Sequence, residues 1–326
     1  MRKDPTKQAL QKVQDLRSQG ISAETLTALA ELIQKEPGIV VDNAAKVAAQ
    51  WQAVELAEAL RDAFYRLSEN GQEDDPQCWG KTAIIKALHE LAWQDADVYV
   101  QGCKTVQPEP VYGGSEDSAA PVRTVSFQAL VQLPAVATAT VITTLVDLLA
   151  DASPKVRAEA ARSSAHCPAE LAYPLLRLKI RSGDAEPRVL GTCFDALLVV
   201  EPSNESVDLL LEYTHTNNDV LQAEALASLA SSALPEAIRA VTASYQMLSD
   251  VQLQRVVLTA LGGSPTEEAL EVLLHTLETA SEREAIWALE ALEPKLHSED
   301  MKAQVLKSIE KRQDSKLLTR YQSFAT

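Results

Sequence analysis

Leu, Ile and Val recur at three and four residue intervals through TATVITTLVDLLAD from Thr138, AELAYPLLRLKI from Ala169, SVDLLLEYTH from Ser206, PEAIRAVTASYQML from Pro235 and TEEALEVLLHTLE from Thr266. Each segment therefore carries one apolar stripe and is predicted to be an amphipathic helix. A second kind of segment alternates with these: a turn with Asp, Ser or Pro, then Val and a polar residue, then small and apolar residues at helical spacing. It reads APVRTVSFQALVQL from Ala120, SPKVRAEAARSSA from Ser153, EPRVLGTCFDALLVV from Glu186, NDVLQAEALASLA from Asn218, SDVQLQRVVLTALG from Ser249 and SEREAIWALEAL from Ser281. With Val122, Val156, Val189, Val220, Gln252 and Arg283 as equivalents, the steps are 34, 33, 31, 32 and 31 residues. Two helices alone cannot bury both stripes, so such units must stack and share a core.

The expected fold is thus all-α, an α-solenoid of about eight antiparallel hairpins running through residues 1–326 as one array. Ala158, Ala160, Ala161, Ala223 and Ala225 on the second helices would let layers approach closely. Pro121, Pro154 and Pro187 suit a first helical turn, whose N–H groups lack partners anyway. Upstream, helical pairs are read from Thr25 to Glu36 with Asn43 to Gln50, and from Val54 to Leu67 with Trp79 to His89. Residues 1–20 read as an N-terminal capping helix and 301–326 as a basic C-terminal cap.

Composition adds limits. Hydrophobic residues make up 46% of the 326, enough for a continuous core. The formal charge of −16 disfavours nucleic acid as the main ligand, because a polyanion is repelled by such a surface. The acid is concentrated: Glu201 to Asp300 holds 18 Asp and Glu against four basic residues, whereas Met301 onward is net +4. That arc is either a solvated outer face or a field that steers a basic partner.

The opening MRKDPTKQAL lacks the apolar run of a signal peptide, and no window reaches the roughly 18 apolar residues of a membrane span. A cytoplasmic protein with no membrane association is expected. Cys78, Cys103, Cys167 and Cys193 lie far apart without CxxC spacing, so neither a zinc site nor a disulfide framework is indicated. The five His are scattered, and no phosphate-binding loop, dinucleotide fingerprint or nucleophile elbow occurs. No catalytic set, metal site or cofactor is expected, and an enzyme is the less favoured reading.

The repeat is interrupted by GCKTVQPEPVYGGSEDSAAP, read as a long inter-repeat loop over residues 102–121. Gln107, Glu109, Tyr112, Gly113, Gly114 and Asp117 make it the leading candidate for partner binding, with a connector anchored by Tyr112 as the plainer alternative. On either view, excising Gln107 to Asp117 should spare the fold. Arg123, Arg157 and Arg188 recur at the start of successive second helices. They form either a basic row for an acidic ligand or a ladder bonded to the preceding Asp117, Asp151 and Asp184. Trp51, Trp79, Trp93 and Trp287 read as packing or partly exposed contacts.

The turn Asp with the following Val-Arg and Ala between Asp151 and Ala160, echoed at Ala120 and Glu186, resembles the HEAT repeat and its short bilin-lyase-type variant over roughly residues 75 to 295. GKTAIIKALHELAWQDADVYVQGCKTVQPEPVYGGSEDSAAPVRTVSFQAL from Gly80, with LLRLKIRSGDAEPRVLGTCFDALL from Leu175, is similar to a group of bacterial HEAT-repeat proteins without assigned chemistry. The resemblance implies a bacterial, cytoplasmic protein. The expected function is a non-enzymatic scaffold or adaptor that holds a protein partner, of basic character if the acidic arc steers it, on the concave surface of the second helices and the 102–121 loop. The alternative is a chromophore (bilin) lyase or lyase-chaperone subunit, and the oligomeric state is left open.

Overall fold

Helices begin where the chain offers an oxygen to an unpaired N–H, or a proline that needs no partner. In the computed structural model, which describes residues 4–324, Ser22 accepts from the N–H of Thr25 while the Thr25 hydroxyl accepts from the N–H of Ser22. Ser281 makes the same reciprocal pair with Glu284, and Asp95, Ser203, Asn218, Asp250 and Thr266 each accept from an N–H of the first turn they cap. Pro121, Pro154, Pro187 and Pro235 occupy first turns, as the spacing predicts for three of them.

The chain divides into two compact units between Cys167 and Pro168. The first runs α1 (Pro5–Gln19), α2 (Ala23–Lys35), α3 (Gly38–Gln50), α4 (Ala57–Glu69), the single turn α5 (Gly71–Asp74), α6 (Trp79–Glu90), α7 (Ala96–Lys104), strands β1 (Pro108–Val111) and β2 (Gly114–Asp117), α8 (Ala120–Leu130), α9 (Thr138–Leu149) and α10 (Pro154–Ser163). Here α2 pairs with α3, α4 with α6, α7 with α8 and α9 with α10, and the second helices α3, α6, α8 and α10 stack in order. Helix α1 buries Ala9, Val13 and Leu16 against α2 and α3 and turns its polar face outward.

The second unit runs α11 (Ala169–Ser182), α12 (Pro187–Val200), α13 (Asn204–Leu211), α14 (Asp219–Ser231), α15 (Pro235–Tyr245), α16 (Val251–Leu261), α17 (Glu267–Thr279), α18 (Glu282–Leu292), α19 (Glu299–Arg312) and α20 (Ser315–Phe324). Each odd helix pairs with the even helix that follows it, and α12, α14, α16, α18 and α20 stack in order. Between the stripes lie completely buried Leu226, Leu229, Val257, Leu258, Leu273, Leu277 and Leu289, with Ala225, Ala285 and Ala288 where layers come closest.

Among the described residues both units are α-solenoids of antiparallel helical hairpins, four pairs in the first and five in the second. That is one pair beyond the hydrophobic pattern, because α7 is hidden in a polar stretch whose Val98, Tyr99 and Cys103 are nonetheless buried. The break expected as a loop over residues 102–121 is therefore shorter and more regular. Residues up to Lys104 belong to α7, and the connector lies between the two helices of one pair. It folds as an antiparallel hairpin with Glu109 opposite Glu116 and Val111 opposite Gly114. Gly113 sits at φ +88 at the tip, a backbone conformation that glycine adopts without steric penalty.

Candidate functional site

The hairpin rests on an unusual turn. Gln77 and Cys78 both adopt left-handed backbone (φ 63 and 54) ahead of α6, which costs on the order of 1–3 kcal/mol per residue and persists only where the surroundings impose it. The surroundings here are polar and buried. Asp75 Oδ1 accepts from the N–H of Gly80 at 2.8 Å, and Oδ2 accepts from the N–H of Lys81 at 2.9 Å. The Lys81 ammonium lies 3.1 Å from Asp75 Oδ2 and donates to Leu67 O at 3.1 Å, with both side chains withdrawn from solvent. Room for this exists because α3 and α6 meet through glycines. A Cβ on Gly80 would stand 2.8 Å from Gly38 Cα, and one on Gly38 would run into the Asp75 carboxylate.

Gln107 and Glu109 tie the hairpin to that turn. Gln107 Nε2 donates to Asp75 O (3.0 Å), Gly71 O (3.2 Å) and Glu109 Oε1 (2.7 Å). Glu109 also accepts from Gln77 N (2.7 Å), Gln77 Nε2 (2.6 Å) and Ser118 Oγ (2.7 Å). Burial alone would raise its pKa, but these four bonds outweigh it and hold the carboxyl below the ordinary Glu value. Asp117 closes the other end: its Oδ1 accepts from the N–H of Gln107 and of Ala119, and its Oδ2 lies 2.7 Å from Arg123 Nη1. Burial again pushes the pKa up and is overcome by those bonds, so the Asp117 carboxyl lies below its ordinary value. Arg123, only 3% exposed, donates further to Thr105 O and to Asp151.

These contacts correct part of the sequence reading. Gln107, Glu109 and Asp117 point their polar groups into the unit and hold the hairpin in place. Of the two readings of Arg123, its contacts follow the ladder and not the exposed basic row, since it is a buried bridge between Asp117 and Asp151. Arg157 on α10 donates to Asp151 O and Ala152 O in the turn that precedes its helix. Arg188 stands exposed on α12 of the second unit. Tyr112 is no anchor, being fully exposed at the tip with Gly113 and Gly114 beside it.

What the seated hairpin borders is an open groove of about 880 Å³. It runs along the starts of α6, α8 and α10 and is lined by Trp79, Lys86, Val111, Ser115, Pro121 and Lys155 among others. Trp79 is 53% and Val111 44% exposed. Lys46 is paired with Asp42 at 2.7 Å, whereas Lys86 and Lys155 make no ion pair among the described residues. Trp79, Lys86 and Lys155 were not singled out as site residues. The spacing of Trp79 and Lys86 by two helical turns was available as a signal that both share a face.

Burial raises the thiols of Cys78 and Cys103, lifts Cys167 to about 11 and Cys193 to about 12, so all four are protonated and weakly nucleophilic at neutral pH. Among the described residues no cluster of three or more His, Cys, Asp or Glu could hold a metal, and no helix is long and apolar enough to cross a membrane.

By fold the protein is an α-solenoid of stacked helical hairpins whose first unit carries a hairpin-bordered groove. No protein-family model and no curated protein sequence matches it. Among solved structures, the complex of CpcE and CpcF of phycocyanin lyase from Nostoc sp. PCC7120 is similar, at 16% identity and a TM-score of 0.40, over 76% of this chain and 94% of that one.

Proposed function

We propose that this protein is a non-enzymatic scaffold that holds a protein partner, in the cytoplasm, and that the groove of the first unit is its docking surface. The observation that carries the reading is the exposure of Trp79 and Val111 on one groove, with Tyr112 exposed at the tip of the hairpin that walls it, and that hairpin is fixed by buried hydrogen bonds. Aromatic side chains on a rigid frame supply large contact area at low entropic cost, which is how interface hot spots are built. The acidic stretch from Glu201 to Asp300 in the second unit would speed encounter with a basic surface of the same partner.

The test is affinity capture by the full chain at low and high salt, compared with a Trp79→Ala, Tyr112→Ala double variant. A protein captured by the wild type, reduced at least tenfold by the double variant and weakened by salt supports the scaffold. Equal capture by both rules out the groove. Tetrapyrrole absorbance travelling with the purified protein would replace the scaffold with the chromophore-lyase reading.

A further inference from the structure

The two edges of the β-hairpin are not equivalent. Ser118 N donates to Gln107 O, which continues the register in which Glu109 faces Glu116 and Val111 faces Gly114. In an antiparallel ladder, hydrogen-bonded pairs alternate with pairs whose N–H and C=O point away from the partner strand. Pro108 opposite Asp117 and Pro110 opposite Ser115 are the outward-pointing pairs, since proline has no N–H to give the ladder.

The outer edge of β1 is closed by this arrangement. Both of its outward donor positions are proline, and the carbonyl of Pro108 already accepts from Gln72 Nε2 at 2.5 Å. Proline on an edge is a common device against unwanted strand pairing. The outer edge of β2 has no such protection. Ser115 and Asp117 present N–H and C=O groups for which no hydrogen bond exists among the described residues. Ser115, Glu116, Asp117 and Ser118 all line the 880 Å³ groove, while Pro108 lines a separate depression beside α5.

The charges around this edge have a direction too. Of the groove carboxylates, Asp42 and Asp117 are taken by Lys46 and Arg123, and Glu109 is saturated by four donors. Lys86 and Lys155 remain as two exposed ammonium groups with no carboxylate partner among the described residues, while Glu116 and Glu109, whose four donors are uncharged, keep their own charges. In a chain of net charge −16 these two unpaired ammonium groups are the groove's points of attraction for a carboxylate.

We infer that β2 is an acceptor edge: an extended, acidic segment of the partner protein pairs with Ser115 and Asp117 as a third strand and places carboxylates against Lys86 and Lys155. The inference rests on the scaffold reading and specifies the chemistry of its occupant. Main-chain pairing supplies affinity and the flanking side chains supply selectivity, as in other strand-addition complexes.

The test uses the full chain and three fluorescein-labelled eight-residue peptides in anisotropy titrations: alternating Val and Glu, the same peptide N-methylated throughout, and alternating Val and Lys. The Val-Glu peptide is expected to bind saturably, and the other two at least tenfold more weakly. Ser115→Pro, which removes one outward N–H opposite an existing proline, is expected to lower Val-Glu affinity at least tenfold without shifting thermal melting. Lys86→Glu with Lys155→Glu should do the same. Absence of saturable binding, or equal affinity for the N-methylated peptide, overturns the inference even if Ser115→Pro proves unstable. A dimer in sedimentation velocity that Ser115→Pro abolishes would also overturn it, by giving the edge to a second copy. A captured partner that Ser115→Pro retains and the Trp79, Tyr112 variant loses would sink strand pairing and leave the scaffold standing.

Discussion

The turn and hairpin between Asp75 and Asp117 and the run of pairs from α13 to α18 solve the same stacking problem with different materials. In the second unit neighbouring pairs meet through Leu, Val and Ala, and the cross-layer ion pairs, such as Arg181 with Glu212 or Arg239 with Glu268, stay on the surface. In the first unit the equivalent space holds a buried Asp75–Lys81 pair, a buried Gln107 and the Asp117–Arg123–Asp151 bridge. Apolar stacking is tolerant of exchange. A buried polar network is intolerant of losing one member, because the remaining charge or donor is stranded. The chain has placed its intolerant construction under the one segment that departs from the repeat.

The widest expected contrast comes from removing one charge on each side. Lys81→Ala strands Asp75 in the core and should lower stability by about 3–5 kcal/mol in urea denaturation. Arg239→Ala, on the exposed face of α15, should change it by less than about 0.5 kcal/mol. Similar losses from the two would erase the distinction drawn here. The same logic reverses an expectation from sequence: excising Gln107 to Asp117 would remove the partners of Asp75 O, Gly71 O and Arg123, so it should destabilise the first unit. Point changes at the hairpin tip are the safer probe.

A smaller effect is expected at the glycine contact. Gly38→Ala drives a methyl into the Asp75 side chain and should cost about 1–3 kcal/mol, the usual range for overpacking. Glu109→Gln replaces one acceptor oxygen with an NH2 donor that faces other donors and should cost about 1–3 kcal/mol, with hydrogen exchange quickening at the Gln77 N–H.

The smallest effect is one of pH and sign. Glu109 and Asp117 have depressed pKa values, so the stability they contribute is present above the ordinary carboxylate range of about 4 and is lost as pH falls through their lowered values. Glu224 on α14 is the opposite case. Burial, then Asp195 and Glu186, raise its pKa, so its contribution is present at low pH and lost as pH rises through the raised value. At pH 7 Glu224→Gln should therefore be neutral or stabilising by less than about 1 kcal/mol, whereas Glu109→Gln destabilises. The protection factors of the hairpin amides in wild type should fall below about pH 4, and that fall should be blunted in Glu109→Gln.

The solenoid was legible because period and small residues survive in every second helix from α8 to α18. Helix α7 was not, since only Val98, Tyr99 and Cys103 mark its buried side, and Gly102 reads as a breaker. In the structure Gly102 is a contact residue, where a Cβ would strike the Ser126 hydroxyl. The hairpin was masked by Pro108 and Pro110, which argue against a strand unless the edge is known. Gln107, Glu109 and Asp117 were noticed for their polar groups, but whether those groups face a partner or the core depends on strand alternation and on the Asp75 turn, neither of which composition reveals. The groove needed tertiary structure, because Trp79, Val111 and Lys155 come from three separate elements.

The most direct measurement is hydrogen exchange of the full chain with and without its captured partner. The account expects slowed exchange in residues 111–118, above all at the Ser115 and Asp117 amides, together with the first turns of α6 and α8. Protection confined to residues 201–300, with the hairpin unchanged, would contradict it.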